Sequence, residues 1–428
     1  MFPNTVILGA GLSGLGCARA LPGARVFEAA GHPGGHVYSH VVGGVSFDEG
    51  AHICHARDQA WLDLLFRNAG EVKHFPNSAV LNYWRGHWIT YPAQNHLADL
   101  PAAERVRALT DLVQAQIANR DHTPANYHEW CLQQYGAFLT DHFYADYTRK
   151  YWRVPMAELG TDWLKGRLLP SELERIIAGA FTEQEERQSV FSSFHYPARG
   201  GFFSFFKPLY EGVPVTCGAR AVAVDPARRR VEFANGRAED YQHLVSTVAL
   251  PDLVAMIKSA PASVRDAAAR LRHTQLVCVN LVVAKPDLTP AHWFYIYAAD
   301  VDASRVKVIS NLTPDAVPPG CSALQCEVFR RGDEPCDAEA LTAKTVRDLA
   351  RLLHFDPADV RAVAPVCVRH AYPISDLGRA ERVDHILAWL ESQGIHSIGL
   401  FGRWKFIWSD AAYRAGEEMG RRLAAPPA

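Results

Sequence analysis

No Cys-x-x-Cys pair occurs among the nine cysteines, and no zinc-type spacing surrounds Cys321 and Cys326, the only near neighbours. An odd count without such a pair argues for a reducing compartment and against a disulfide framework. No apolar run approaches the ~20 residues that a helix needs to span a bilayer; the segment Leu276–Ala284 has only the length of a strand. The first residues are apolar but glycine-rich and carry no basic leader, so a secretory signal peptide is not expected in them. Neither sign of charge dominates: 44 Lys and Arg against 46 Asp and Glu leave a net charge of −2. Nothing in that balance attracts nucleic acid or an anionic membrane. Low-complexity tracts are missing too, since the 26 prolines and 30 glycines are spread along the chain. With 48% apolar residues the chain is too hydrophobic to be disordered. These absences lead us to expect a cytoplasmic globular protein. At 428 residues it exceeds the ~250–300 that one core serves, so two or three structural units are expected.

What is present begins at residue 4. Asn4-Thr-Val-Ile-Leu8 is a short strand-like run that leads into Gly9-x-Gly11-x-x-Gly14. Leu15, Ala18 and Leu21 follow at helical spacing, and a second apolar run, Ala24–Phe27, ends in Glu28. Each glycine has its own task in a strand–turn–helix–strand unit. Gly9 allows the tight turn, Gly11 lets a pyrophosphate approach the backbone, and Gly14 lets helix pack on strand. The helix N-terminus adds N–H groups and positive dipole. Glu28, nineteen residues after Gly9, stands where a carboxylate accepts bonds from a ribose. The unit therefore predicts dinucleotide binding.

Only one such fingerprint exists, which argues against a separate NAD(P) domain. The stretch Glu28…Gly34-Gly35-His36 resembles the extended fingerprint of flavoproteins in the amine oxidase, protoporphyrinogen oxidase and UDP-galactopyranose mutase clan. The resemblance implies FAD as cofactor, with Gly9, Gly11, Gly14, Glu28, Gly35 and His36 around it. Near the C-terminus, Gly402-Arg403 and Ser409-Asp410 before a final helix resemble the clan's last FAD segment, which adds Gly402, Arg403 and Asp410. Asp410 or Ser409 would equally suit an N-cap. The implied fold is α/β, with a discontinuous Rossmann-like FAD-binding domain (residues 1–75, 196–255 and 372–428). A helical insertion (96–195) and an antiparallel-sheet substrate domain (76–95 and 256–371) complete it.

Further stretches are similar to the mutases in particular. Gly50-Ala-His52-Ile-Cys-His55 resembles a segment in which one histidine lies beside the flavin ring; a metal pair or plain surface histidines are the alternatives, and no further ligands stand nearby to support a metal. Tyr147-Thr-Arg-Lys-Tyr-Trp152 resembles a motif that lines the pocket for a uridine nucleotide-sugar, except that Arg153 stands where the mutases have glycine. An amphipathic helix burying the same rings is the alternative. Arg305 aligns with a diphosphate-binding arginine and Arg167 with an arginine of a mobile lid; a guanidinium suits a diphosphate because it donates paired N–H bonds. Either arginine would equally suit a surface role. Tyr372-Pro-Ile-Ser-Asp376 resembles a segment near the reacting sugar, and Tyr91-Pro92 a loop of the substrate domain.

The resemblance implies His52, His55, Arg305 and Tyr372 as catalytic residues, and Tyr147, Trp152, Arg167 and Asp376 as substrate contacts. The implied reaction interconverts pyranose and furanose forms of a nucleotide-diphosphate sugar through N5 of a reduced flavin, with no net electron transfer. An external reductant such as NAD(P)H would then be needed, and a homodimer is left open. The alternative within the clan is an FAD-dependent oxidase or desaturase, whose apolar pocket Phe202, Phe203, Phe205 and Phe206 would line unless that run is helix core.

Overall fold

The computed structural model describes residues 4–118, 122–168, 170–182 and 191–425. The first unit is built on a five-stranded parallel sheet in the order Ile395–Ser397, His243–Ser246, Thr5–Leu8, Arg25–Phe27, Val215–Thr216. Every residue of Thr5–Leu8 is buried, which is why the strand reads as a continuous apolar run: a parallel strand is covered on both faces. The helix Leu12–Ala20 starts directly from the turn and packs against the C-terminal helix Ser409–Ala424. The sheet draws its strands from three distant stretches of sequence, so this unit is discontinuous.

The second unit is a seven-stranded sheet in the order Val360–Pro373, His273–Val283, Ser322–Arg331, Arg305–Val308, Trp293–Ile296, Val80–Trp84, His87–Thr90. It is not wholly antiparallel as expected, because Trp293–Ile296 runs parallel to Val80–Trp84. The long strand His273–Val283, next to the edge, pairs with both neighbours along its length. Helices Ala102–Ala118, Tyr127–Leu139, Ala145–Tyr151 and Leu173–Phe181 form the expected helical region. The part of that region over residues 183–190 lies outside the described residues. Its core is aromatic, with Tyr127, Tyr135, Phe138 and Trp152 packed against Leu276 and Phe329 of the sheet.

Three local expectations are corrected. The apolar run Val213–Val224 reads as one strand from sequence but is two: Val215–Thr216 and Ala221–Asp225 belong to different sheets, separated at Gly218, which has a positive φ of 70°. The phenylalanine run enters two 3-10 turns, Phe202–Phe205 and Lys207–Tyr210, rather than a helix. The helix Ala262–Ala269 packs into the core of the nucleotide-binding sheet through Val264, Ala267 and Ala268, not onto the large sheet. Among the described residues no helix is long and apolar enough to cross a membrane.

Candidate active site

A cavity of about 1220 Å³ runs between the two sheets and under the helical region. Ligand pockets of roughly 300–1,000 Å³ hold drug-sized molecules, so this volume accommodates a dinucleotide together with a substrate. Its nucleotide end is made of backbone. Gly9 has φ 100°, and a Cβ there would stand 2.1 Å from Thr247 Oγ1. A Cβ on Gly35 would lie 3.0 Å from the Gly11 Cα, so these two loops touch through their main chains. Gly14 does not line the cavity; its Cβ would meet the Gly9 carbonyl oxygen at 2.0 Å, the close helix packing expected of it. Glu28 lines the cavity and accepts from the Ala10 and Ala30 N–H groups at 2.7 and 2.8 Å. His36 closes the same end against Phe401, and burial lowers its pKa.

The C-terminal segment is placed differently from expectation. Gly399, Leu400 and Phe401 line the cavity, whereas Gly402 lies under Ser397, which donates to its carbonyl at 2.8 Å. Arg403 is exposed and outside the cavity. Asp410 lines the cavity from the first turn of helix Ser409–Ala424, but Trp408 holds the N-cap position and no side chain caps it.

The other end is aromatic, and Tyr147, Trp152, Arg167, Arg305 and Tyr372 all line it. Tyr147 stacks on Tyr151 at 5.1 Å, and Tyr151 in turn contacts Tyr372. The Arg167 guanidinium lies 3.9 Å over the Phe406 ring, flanked by Trp163, Trp152 and Tyr372. Its Nη1 is buried without a hydrogen-bond partner among the described residues. Arg305 is committed elsewhere: Nε and Nη2 donate to the two oxygens of Glu327 at 2.7 and 2.9 Å. Burial opposes the Arg305 charge, but Glu327 more than offsets this and raises its pKa.

His52 and His55 also reach the cavity. Burial lowers the pKa of His52 to about 4, and its Nδ1 stands 3.2 Å from the Gly50 carbonyl. The ring is therefore neutral at pH 7, with Nδ1–H donating to that carbonyl and Nε2 left as an acceptor. His55 sits edge-on to Trp408 and Phe191, with Nδ1 buried and unpartnered among the described residues.

Asp376 stays outside the cavity, held by Arg272 at 3.0 Å and by Arg382, so its role is to tie two surface segments together. Arg153 also lies outside it, in a left-handed conformation at φ 60° that glycine adopts without strain. Lys150, the central lysine of the motif, is structural: its Nζ donates to the carbonyls of Ile296 and Ala303 at 3.0 and 3.1 Å.

The sequence reading missed Glu327 and Lys307, both of which line the cavity. The available signal was a charged residue inside an otherwise apolar strand, as in Val306-Lys307-Val308 and Cys326-Glu327-Val328. Such residues are almost never buried unless paired.

The glycine cradle, the helix N-terminus and the size of the cavity fit FAD. A family model described as flavin containing amine oxidoreductase matches residues 12–376. The chain belongs to that family. FAD is its cofactor, and it is a flavin-dependent enzyme of the oxidoreductase family. The fold is similar to a reduced UDP-galactopyranose mutase at TM-score 0.90 and 26% identity, covering 98% of this chain and 95% of that one. It is also similar to a putative protoporphyrinogen oxidase from Exiguobacterium, at TM-score 0.75 and 15% identity, covering 99% and 98%. A putrescine oxidase bound to putrescine matches at TM-score 0.61 and 18% identity over 99% of each chain. The last two likenesses concern the fold alone.

Proposed function

We propose that this enzyme is a flavin-dependent mutase that interconverts pyranose and furanose forms of a nucleotide-diphosphate sugar. The observation that carries the reading is the gathering of Tyr147, Trp152, Arg167, Arg305 and Tyr372 at one end of a single cavity, with His52 and His55 in its wall. The full-length likeness to a UDP-galactopyranose mutase supports it. So does the charge pattern. At the end that holds Arg167 and Arg305, the Glu327 carboxylate is spent on Arg305 and the Ala51 N–H. The groups left to meet a substrate there are guanidiniums, which suit an anion better than a cationic amine.

When bound and reduced, FAD supplies an electron pair for the anomeric carbon as the diphosphate leaves. The chain does the rest. Arg167 carries unspent N–H donors and is the stronger anchor for a departing diphosphate; Arg305 retains Nη1 and one Nη2 hydrogen, giving single contacts rather than a fork. Both act in a site walled by aromatic rings, where charge is poorly screened. Burial raises the pKa values of Tyr147 and Tyr151, so their phenols stay protonated and offer hydroxyl donors to sugar and phosphate oxygens. Neutral His52 offers Nε2 as an acceptor.

The family's own description favours a second reading, a net oxidation by oxidised flavin. The two separate on redox state. Dithionite-reduced enzyme should convert a nucleotide sugar into an isomer without consuming oxygen. Activity confined to oxidised flavin, with bleaching by a non-sugar substrate and peroxide release, refutes the mutase reading.

A further inference from the structure

The loop that carries His52 is held from beneath by three side chains of the large sheet. After strand Val45–Asp48 the chain folds through two tight turns: Gly50 N donates to Asp48 O and His52 N to Gly50 O, each at 3.0 Å. Gly50 takes φ 100° to allow this. Three backbone groups of the loop go to the sheet. Gln325 Nε2 donates to Asp48 O at 2.6 Å, Ala51 N donates to Glu327 at 2.8 Å, and Lys307 Nζ donates to His52 O at 2.8 Å.

Lys307 also forms a buried ion pair. Its Nζ lies 2.8 Å from Asp48 Oδ2, with the two side chains 1% and 0% exposed. Asp48 accepts in addition from Ser39 Oγ, Tyr196 OH and the Phe202 N–H at 2.7, 2.7 and 2.8 Å. Burial works against both charges, but the Lys307 ammonium and the other donors hold the Asp48 carboxyl below its ordinary range. The pair has a direction: Lys307 lines the cavity and Asp48 stands behind it.

A buried ion pair is a poor device for stability, since apolar residues of similar volume often do as well or better. Its field, however, is little screened in a dry interior. We propose that Lys307 is a positioning residue of the flavin site, fixing the His52 carbonyl and, with Asp48 behind it, turning a positive end toward the cavity that favours the reduced state of the bound flavin. The inference rests on FAD and holds for a mutase or an oxidase alike.

The test is the midpoint potential of the FAD-loaded protein, measured by reduction in equilibrium with a redox dye. Lys307→Met combined with Asp48→Asn removes both charges without leaving a lone buried ion. This variant should stay folded by circular dichroism, keep its flavin and show a more negative midpoint. At the poise that half-reduces the wild type, its flavin should be mostly oxidised. Asp48→Asn alone should move the midpoint in either protonation state: the opposite way while the Lys307 ammonium persists, and the same way as the double variant where burial, no longer offset by Asp48, removes its proton. Lys307→Arg should stay near the wild type. A loaded double variant with the wild-type potential overturns the proposal. Should that variant fail to load, an unshifted midpoint in Asp48→Asn overturns it equally.

Discussion

Replacing Gly416 with alanine should destabilise the protein, although alanine is the better helix former. Helices Leu12–Ala20 and Ser409–Ala424 touch through their backbones. A Cβ on Gly416 would stand 2.0 Å from the Ser13 carbonyl oxygen and 2.8 Å from the Cys17 nitrogen. A Cβ on Gly16 would meet Tyr413 O at 2.1 Å, and one on Gly420 would meet Cys17 O at 2.6 Å. The obstacles are main-chain atoms inside regular helices, so no rotamer change relieves them. Separating the helices by about 1 Å forfeits up to roughly half the dispersion energy of each contact along the seam. Overpacking of this kind costs about 1–3 kcal/mol, against about 1 kcal/mol gained from helix propensity. With a rigid clash, the upper end applies and the net loss is about 2 kcal/mol. The shift also reaches the cofactor, because Leu12 and Ser13 line the cavity and Ser13 Oγ donates to Ala412 O at 2.8 Å. Urea unfolding followed by circular dichroism, with flavin fluorescence reporting release, measures both effects. Gly31 is the control: nothing lies within 4 Å of its Cβ position and its φ is not positive. Gly31→Ala should gain about 0.4–1 kcal/mol by stiffening the unfolded chain. A Gly416→Ala protein as stable as the wild type would refute the close-packed seam.

Arg153→Gly should stabilise the fold by about 0.5–1 kcal/mol, since it relieves a left-handed residue and gives up only a long, half-buried 3.8 Å ion pair with Glu334; turnover should not change, and a drop in activity would show that Arg153 reaches the substrate. Arg167→Ala should raise KM for an anionic substrate by about 10- to 100-fold, the worth of one charged hydrogen bond, with little loss of stability. Arg305→Ala should instead cost about 3–5 kcal/mol of stability, because it strands Glu327 as a buried charge; unfolding curves that rank the two variants the other way count against these assignments. Burial lowers His52 to about 4 and His370 to about 3, so both are neutral in the fold while the unfolded chain protonates them below 6.5. Stability is then highest above pH 6.5 and falls as pH drops toward 4, by about 3 kcal/mol for His52 alone. His52→Gln should flatten that slope in urea titrations at pH 7 and pH 4.5.

Local signals served the nucleotide-binding unit well. Thr5–Leu8, the three glycines and Glu28 are adjacent in sequence, and each is constrained by backbone geometry, so the pattern survives without knowledge of the rest of the fold. The seam between Leu12–Ala20 and Ser409–Ala424 was not visible in the same way. Gly416 and Gly420 stand four apart on one helix, a small-residue spacing that signals close approach only once the partner, some 400 residues away, is known. The Val213–Val224 expectation failed for a related reason: apolar residues suit either sheet, and Gly218 is where the chain leaves one for the other.

At the aromatic end, motif positions located the residues but not what their polar atoms do. The resemblance implied Arg305 and Asp376 as ligands and set Lys150 inside a pocket motif. In the fold Arg305 spends two donors on Glu327, Lys150 spends itself on the carbonyls of Ile296 and Ala303, and Asp376 pairs with Arg272 and Arg382. A side chain can recognise a ligand only with the bonds its neighbours leave free, and those neighbours lie 22, 146 and 104 residues away. Arg167, by contrast, has aromatic faces as its main company and spends only one long bond, from Nη2 to the Tyr151 hydroxyl at 3.5 Å. That difference favours Arg167, with the emptier hydrogen-bonding shell, over Arg305 as the anion anchor of the proposed reaction.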